Sequence, residues 1–123
     1  MYVYEAIVKN VVDGDTIDLD IDLGFKVWLH NVRCRLIGIN TPETRGKKKC
    51  EAGLKAKEIV TNELLGHKVI ISSYKKETTS INSDSFGRWL VRIYLEDGTD
   101  YNQSLVNRGY AEEYLINKDN TKD

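Results

Sequence analysis

The sequence is poor in proline, cysteine and net charge, and each shortage excludes something. It has one proline and two cysteines in 123 residues. Two cysteines, Cys34 in a strand-like run and Cys50 in a polar stretch, do not make a disulfide framework. His30 and His67 stand alone, so no His/Cys cluster exists for zinc. No apolar run approaches the length of a membrane span, and no membrane partner is expected. Eighteen Lys and Arg against 19 Asp and Glu leave a net charge of −1, which gives no general pull on polyanions. Any affinity for nucleic acid must come from local placement of charge. The N-terminus, MYVYEAIVKN, lacks the basic region and apolar core of a signal peptide. The chain is therefore expected inside its cell, or as the mature part of a secreted protein.

What is present suits one small domain. Hydrophobic residues make up 41% and charged residues 30%, enough apolar matter for one core. Residues 1–117 are expected to form the domain and 118–123 a flexible tail. Tyr2 to Lys9 reads as a strand, and Asp13-Gly14 as a tight turn whose glycine accepts positive φ. Ile17, Leu19, Ile21 and Leu23 then alternate with Asp18, Asp20 and Asp22, the pattern of a half-buried strand with a solvated acidic face. A turn is expected at Leu23-Gly24 and a long strand from about Val32 to Ile39. Ala56, Ile59, Val60 and Leu64 follow helical spacing and end at Gly66, a C-cap glycine. Strands are expected over Val69 to Tyr74 and Trp89 to Leu95, and a short helix over Asn102 to Arg108 before Gly109. Five strands and two short helices predict a small antiparallel barrel, of which the five-stranded Greek-key OB-fold is one form.

Three polar clusters stand out. Asp15 shares parity with Ile17 and Leu19, so its carboxylate leaves the strand on the buried face and needs a partner there, a role open to a cation. Asn40 ends a row shared with Cys34, Leu36 and Gly38, and Pro42 biases Thr41 away from helical angles, freeing the Thr41 carbonyl. Carboxylate, amide and carbonyl oxygens are donors for calcium or magnesium, and Glu43 lies just beyond. Arg35 and Arg88 carry forks that match phosphate. Parity puts Arg35 on the face opposite Asn40, so a coiled strand must bring it round. The plain alternatives are a strand-end turn and solvated arginines.

Four stretches in order, DGDT, RLIGINTPE, FGRWLVRIY and LVNRGYAEEY, resemble the staphylococcal nuclease (thermonuclease) family from about Ala6 to Tyr114. The resemblance implies an OB-fold barrel and a calcium-dependent phosphodiesterase that cuts DNA and RNA, leaving 3′-phosphate ends. It implies calcium ligands at Asp15, Asn40 and the Thr41 carbonyl, with Glu43 as general base and Arg35 and Arg88 on the phosphate. Phe86 and Tyr114 would border the nucleotide. Two departures matter. Asn40 replaces an acid, and Leu115 and Asn117 stand where the family has tyrosines. The implied substrate is single-stranded DNA or RNA, taken by a monomer. The competing reading is a non-catalytic OB module with a degenerate metal site that binds nucleic acid or protein. Retention of Glu43, Arg35 and Arg88 favours the enzyme.

Overall fold

In the computed structural model, the described residues are 2–42, 51–74 and 89–113. They form β1 (Tyr2–Asp13), β2 (Thr16–Gly24), β3 (Val27–Leu36), β4 (Ile39–Asn40), α1 (Glu51–Leu64), β5 (Lys68–Ser73), β6 (Trp89–Tyr94), α2 (Tyr101–Asn107) and β7 (Glu112–Glu113). Five strands close a barrel in the order β1-β2-β3-β6-β5, and β4 with β7 makes a separate two-stranded ribbon. This is the OB-type arrangement, five barrel strands with a helix between the third and fourth.

One pairing departs from the antiparallel expectation. β3 and β6 run parallel, while the other four barrel pairs are antiparallel. The reason is arithmetic. Directions cannot alternate round a closed ring of five strands, so one adjacent pair must agree.

The core follows strand alternation where the ladder is regular. Ile17 and Leu19 of β2, Val69 of β5 and Ile93 of β6 are fully buried. In β1 the buried residues are Ala6, Val8 and Val11, an odd step after Val8. The ladder shifts register between Val8 and Asn10, and a bulge there explains the change of parity. α1 buries Gly53, Ala56, Val60 and Leu64, one stripe at helical spacing. Gly66 then takes φ 81°, and its N–H donates to the Val8 carbonyl at 2.8 Å, tying the helix end to β1.

α2 starts with an Asp100 cap whose carboxylate accepts from the Gln103 N–H. Glu63 fastens α1 to the α2 region. Tyr101 Oη donates to its Oε1 at 2.6 Å, and Arg108 donates to both its oxygens at 2.9 Å. The Arg108 bonds hold the Glu63 carboxyl below the usual range, against the opposing effect of burial.

Three local expectations are corrected. The β2–β3 turn is centred on Phe25 and Lys26, both at positive φ (56° and 66°), rather than on Leu23-Gly24. That pair of angles is the turn that suits strand twist. The expected strand from Val32 to Ile39 breaks after Leu36, because Gly38 adopts φ 85°.

The acidic face is not solvated either. Asp18 and Asp20 are 9% and 8% exposed. Arg33 forks onto Asp18 at 2.8 and 3.2 Å. Asp20 accepts from the Asn31 N–H at 2.9 Å and lies 3.1 Å from His30 Nδ1. The Arg33 hydrogen bond holds the Asp18 carboxyl below its ordinary value of 3.8. A depressed carboxyl stabilises the fold fully above its unfolded pKa and loses that contribution as pH falls through its folded pKa. Arg33→Ala should therefore lower the urea midpoint at neutral pH, with the difference from wild type narrowing below about pH 4. A difference that stays constant down the acid limb would show that Arg33 acts through packing instead.

Candidate metal and phosphate site

The site is built where two chain reversals meet. The first is the two-residue turn Gly14–Asp15, flanked by the Asp13–Thr16 pair. Gly14 is not there for positive φ, as the sequence suggested. A Cβ on it would lie 3.0 Å from both Thr41 Cγ2 and Thr41 Oγ1 and 3.1 Å from Ala56 Cβ. Glycine lets this turn approach Thr41 and α1 closely.

Asp15 points inward as parity predicted, with 9% exposure. One oxygen, Oδ1, accepts from Thr16 Oγ1 at 3.1 Å. The other, Oδ2, accepts from the Thr41 N–H at 3.1 Å and lies 3.5 Å from Arg35 Nη2. The Asp15 carbonyl accepts from the Leu36 N–H at 2.9 Å, which fixes the turn to the end of β3.

Arg35 is 7% exposed. Its Nη2 donates to Asn40 Oδ1 at 2.6 Å and to the Ile39 carbonyl at 3.1 Å. Strand coiling is not what unites Arg35 with Asn40. The break at Gly38 reverses the chain and swings β4 back, so the parity count across it fails. For the same reason Asn40 is exposed rather than the end of an inward row.

Asn102 holds this reversal in place, and the sequence reading gave it no role. It is fully buried. Its Nδ2 donates to the carbonyls of Ile37 and Val91 at 2.9 and 3.2 Å, and its Oδ1 accepts from the Ile93 N–H at 3.1 Å. The available signal was an amide inside the apolar stripe of α2, between Tyr101 and Leu105.

The donor set fits a hard divalent ion in kind. A carboxylate oxygen and an amide oxygen converge on one cationic nitrogen, Arg35 Nη2. Among the described residues, no group of three or more His, Cys, Asp or Glu gathers as a metal cluster. Thr41 Oγ1 is buried there with no hydrogen-bond partner among the described residues. Asp15, Arg35, Asn40 and Thr41 are thus brought together. Glu43, Phe86, Arg88 and Tyr114 lie outside the described residues, as do Cys50 and the basic stretch 45–49. Cys34 is buried in the core, where burial pushes its thiol up to about 12. It stays protonated at neutral pH and offers no nucleophile.

Comparison with known proteins gives the family of the chain. The model of a family described as staphylococcal nuclease homologue matches residues 33–123. Endonuclease YhcR of Bacillus subtilis (strain 168) is 34% identical over 123 residues, which is 92% of this chain and 9% of that protein. The thermonuclease of Staphylococcus intermedius is 33% identical over 106 residues, 85% of this chain and 56% of that one. An uncharacterized endonuclease of Escherichia coli O157:H7 is 31% identical over 104 residues, 85% of this chain and 57% of that one. The chain spans between 9% and 57% of the length of these relatives. With most of its length matched by the family model, including the Arg35 to Thr41 reversal that forms the site, the chain belongs to the family of staphylococcal nuclease homologues.

Proposed function

We propose that the chain is a calcium-dependent phosphodiesterase that cuts single-stranded DNA, RNA or both, as a monomer, and leaves 3′-phosphate ends. The observation that carries this reading is the meeting of Asp15, Arg35, Asn40 and Thr41 at one corner of the barrel. Glu43 follows two residues after Thr41 in the sequence. The relatives named endonuclease and thermonuclease support it.

Asp15, Asn40 and the Thr41 carbonyl are the oxygens that would hold the ion. Bound there, calcium supplies Lewis acidity toward a phosphoryl oxygen. Asn40 Oδ1 serves Arg35 in this structure, so taking the ion requires that oxygen to be shared or released. Arg35 does two jobs in this reading. Bonds to Ile39 and Asn40 orient its guanidinium, and the oriented fork stabilises charge that grows on the phosphoryl oxygens. Arg88 adds a second guanidinium. Glu43 takes the proton of the attacking water. A 3′-phosphate product means that the bond from phosphorus to the 5′ oxygen breaks. Phe86 and Tyr114 are the residues that the family resemblance assigns to the nucleotide.

The test is incubation of the purified protein with a single-stranded oligonucleotide, in calcium and in chelator, beside Glu43→Ala. Cutting in calcium is expected, with fragments whose masses show 3′-phosphate. Chelator and Glu43→Ala should each abolish it. Binding without cutting, in calcium and in every other divalent ion tried, would sink the enzyme reading in favour of a binding module.

A further inference from the structure

Among Asp15, Arg35, Asn40 and Thr41 the negative charge is too small for a dication. Asp15 brings one carboxylate, and Arg35 brings one positive charge 3.5 Å away. Asn40 brings none, where the family it resembles has an acid. An ion drawn to Asp15 and Arg35 alone meets no net charge.

The β4–β7 ribbon changes that count. Asn40 lies directly opposite Glu112, and Ile39 directly opposite Glu113. Residues directly opposite in an antiparallel pair carry their side chains on the same face, with Cβ atoms about 4.5–5.5 Å apart. Asn40 turns its side chain toward Arg35, as their 2.6 Å bond shows. Glu112 therefore belongs to the face of the ribbon that carries the site. Glu113 belongs to the other face, with the buried Ile39. Both Asn40 and Glu112 are exposed, so an ion arriving from solvent meets them together.

Resting on the calcium reading above, we propose that Glu112 adds a carboxylate to the divalent-cation site, replacing across the strand the acid that Asn40 lacks. The sequence hides this, because β4 and β7 are far apart along the chain and each is two residues long. Glu113, one residue away and facing the other side, is the built-in control.

The experiment is a calorimetric calcium titration of the wild-type protein, Glu112→Gln, Glu113→Gln, Asn40→Asp, the double variant Asn40→Asp/Glu112→Gln, and Asp15→Asn. A unit charge at this range from a dication is expected to change affinity about tenfold on loss of Glu112. Glu113→Gln should change it by no more than about twofold, the charge being turned away. The double variant should return to within about threefold of wild type, since the acid has only moved across the ribbon. Equal affinities for wild type and Glu112→Gln, or equal losses for both glutamates, would overturn the role of Glu112. The calcium reading would then stand if Asp15→Asn still abolished binding. Binding by Asn40→Asp but not by wild type would also overturn it, since Glu112 would have failed to compensate. No binding by either would overturn the calcium reading and this inference together.

Discussion

Arg35→Met is expected to cost the protein both stability and cleavage. Arg35 is 7% exposed, and its guanidinium donates to Ile39 and Asn40 and pairs with Asp15 at 3.5 Å. Methionine fills similar volume but leaves the Asp15 carboxylate without this cation. Removing one partner of a buried pair costs about 3–5 kcal/mol, because the other charge remains desolvated. Cleavage should fall at least about 10²–10³-fold, the usual loss of one preorganised donor to a developing oxyanion. Arg35→Lys separates the two effects. Lysine restores the charge, so much of the stability should return. It cannot restore the fork, so cleavage should stay low. Urea midpoints and kcat, taken where circular dichroism shows each variant folded, would check this. Wild-type kcat in Arg35→Lys would mean that a point charge suffices and that the fork has no part in the chemistry.

The second large effect belongs to Asn102, which touches none of the reacting groups. Its side chain bonds the Ile93 N–H and the carbonyls of Ile37 and Val91. Val91 keeps another donor, since its carbonyl also accepts from the Ile37 N–H at 2.9 Å. Asn102→Ala therefore deprives chiefly Ile93 N–H and Ile37 C=O of a partner. Each buried orphan costs about 1–3 kcal/mol, and the lost volume adds to this, so the total should reach about 3–5 kcal/mol. Asn102→Asp tests the reason. It keeps an acceptor for Ile93 but turns an oxygen toward two carbonyls. Asn102→Asp should be no more stable than Asn102→Ala at neutral pH, and should recover in acid as the carboxyl protonates and can donate. Denaturant unfolding across pH measures both. An Asn102→Asp variant as stable as wild type at neutral pH would contradict the bonding pattern.

These two residues show what the sequence made legible. Arg35, Asp15 and Thr41 sit beside turn chemistry, and local rules singled them out. Asp15, in the turn just before β2, is buried as its shared parity with Ile17 and Leu19 suggested, although Thr16, Asp18 and Asp20 of the other parity are buried too. The parity rule failed for Asn40, because Gly38 at φ 85° resets the count. Gly14 was read for the wrong reason. Its need is set by Thr41 and Ala56, neighbours only in the fold. The acids of β2 looked solvated because their partners, Arg33, His30 and the Asn31 N–H, sit on the next strand. Asn102 and Glu112 were illegible as site residues for one shared reason. Each meets the Ile37 to Asn40 reversal from the far end of the chain, and local patterns carry no such pairing.

The parallel pairing of β3 with β6 has a kinetic consequence. Hairpins such as β1–β2 form from neighbouring residues, and they can form early. The β3–β6 and β1–β5 seams join strands that α1 separates in the sequence, at a loop-closure cost that grows with separation. The Ile37 turn lies on the β3–β6 seam, with its N–H bonded to Val91 and its carbonyl to Asn102. The contacts of Asp15 with Arg35 and of Arg35 with Asn40 are local to the β2–β3 region, whereas the turn between them is clamped from β6 and α2. The loop-closure cost therefore falls on the clamp rather than on the oxygens, and a β2–β3 hairpin alone would leave the Ile37 turn without it.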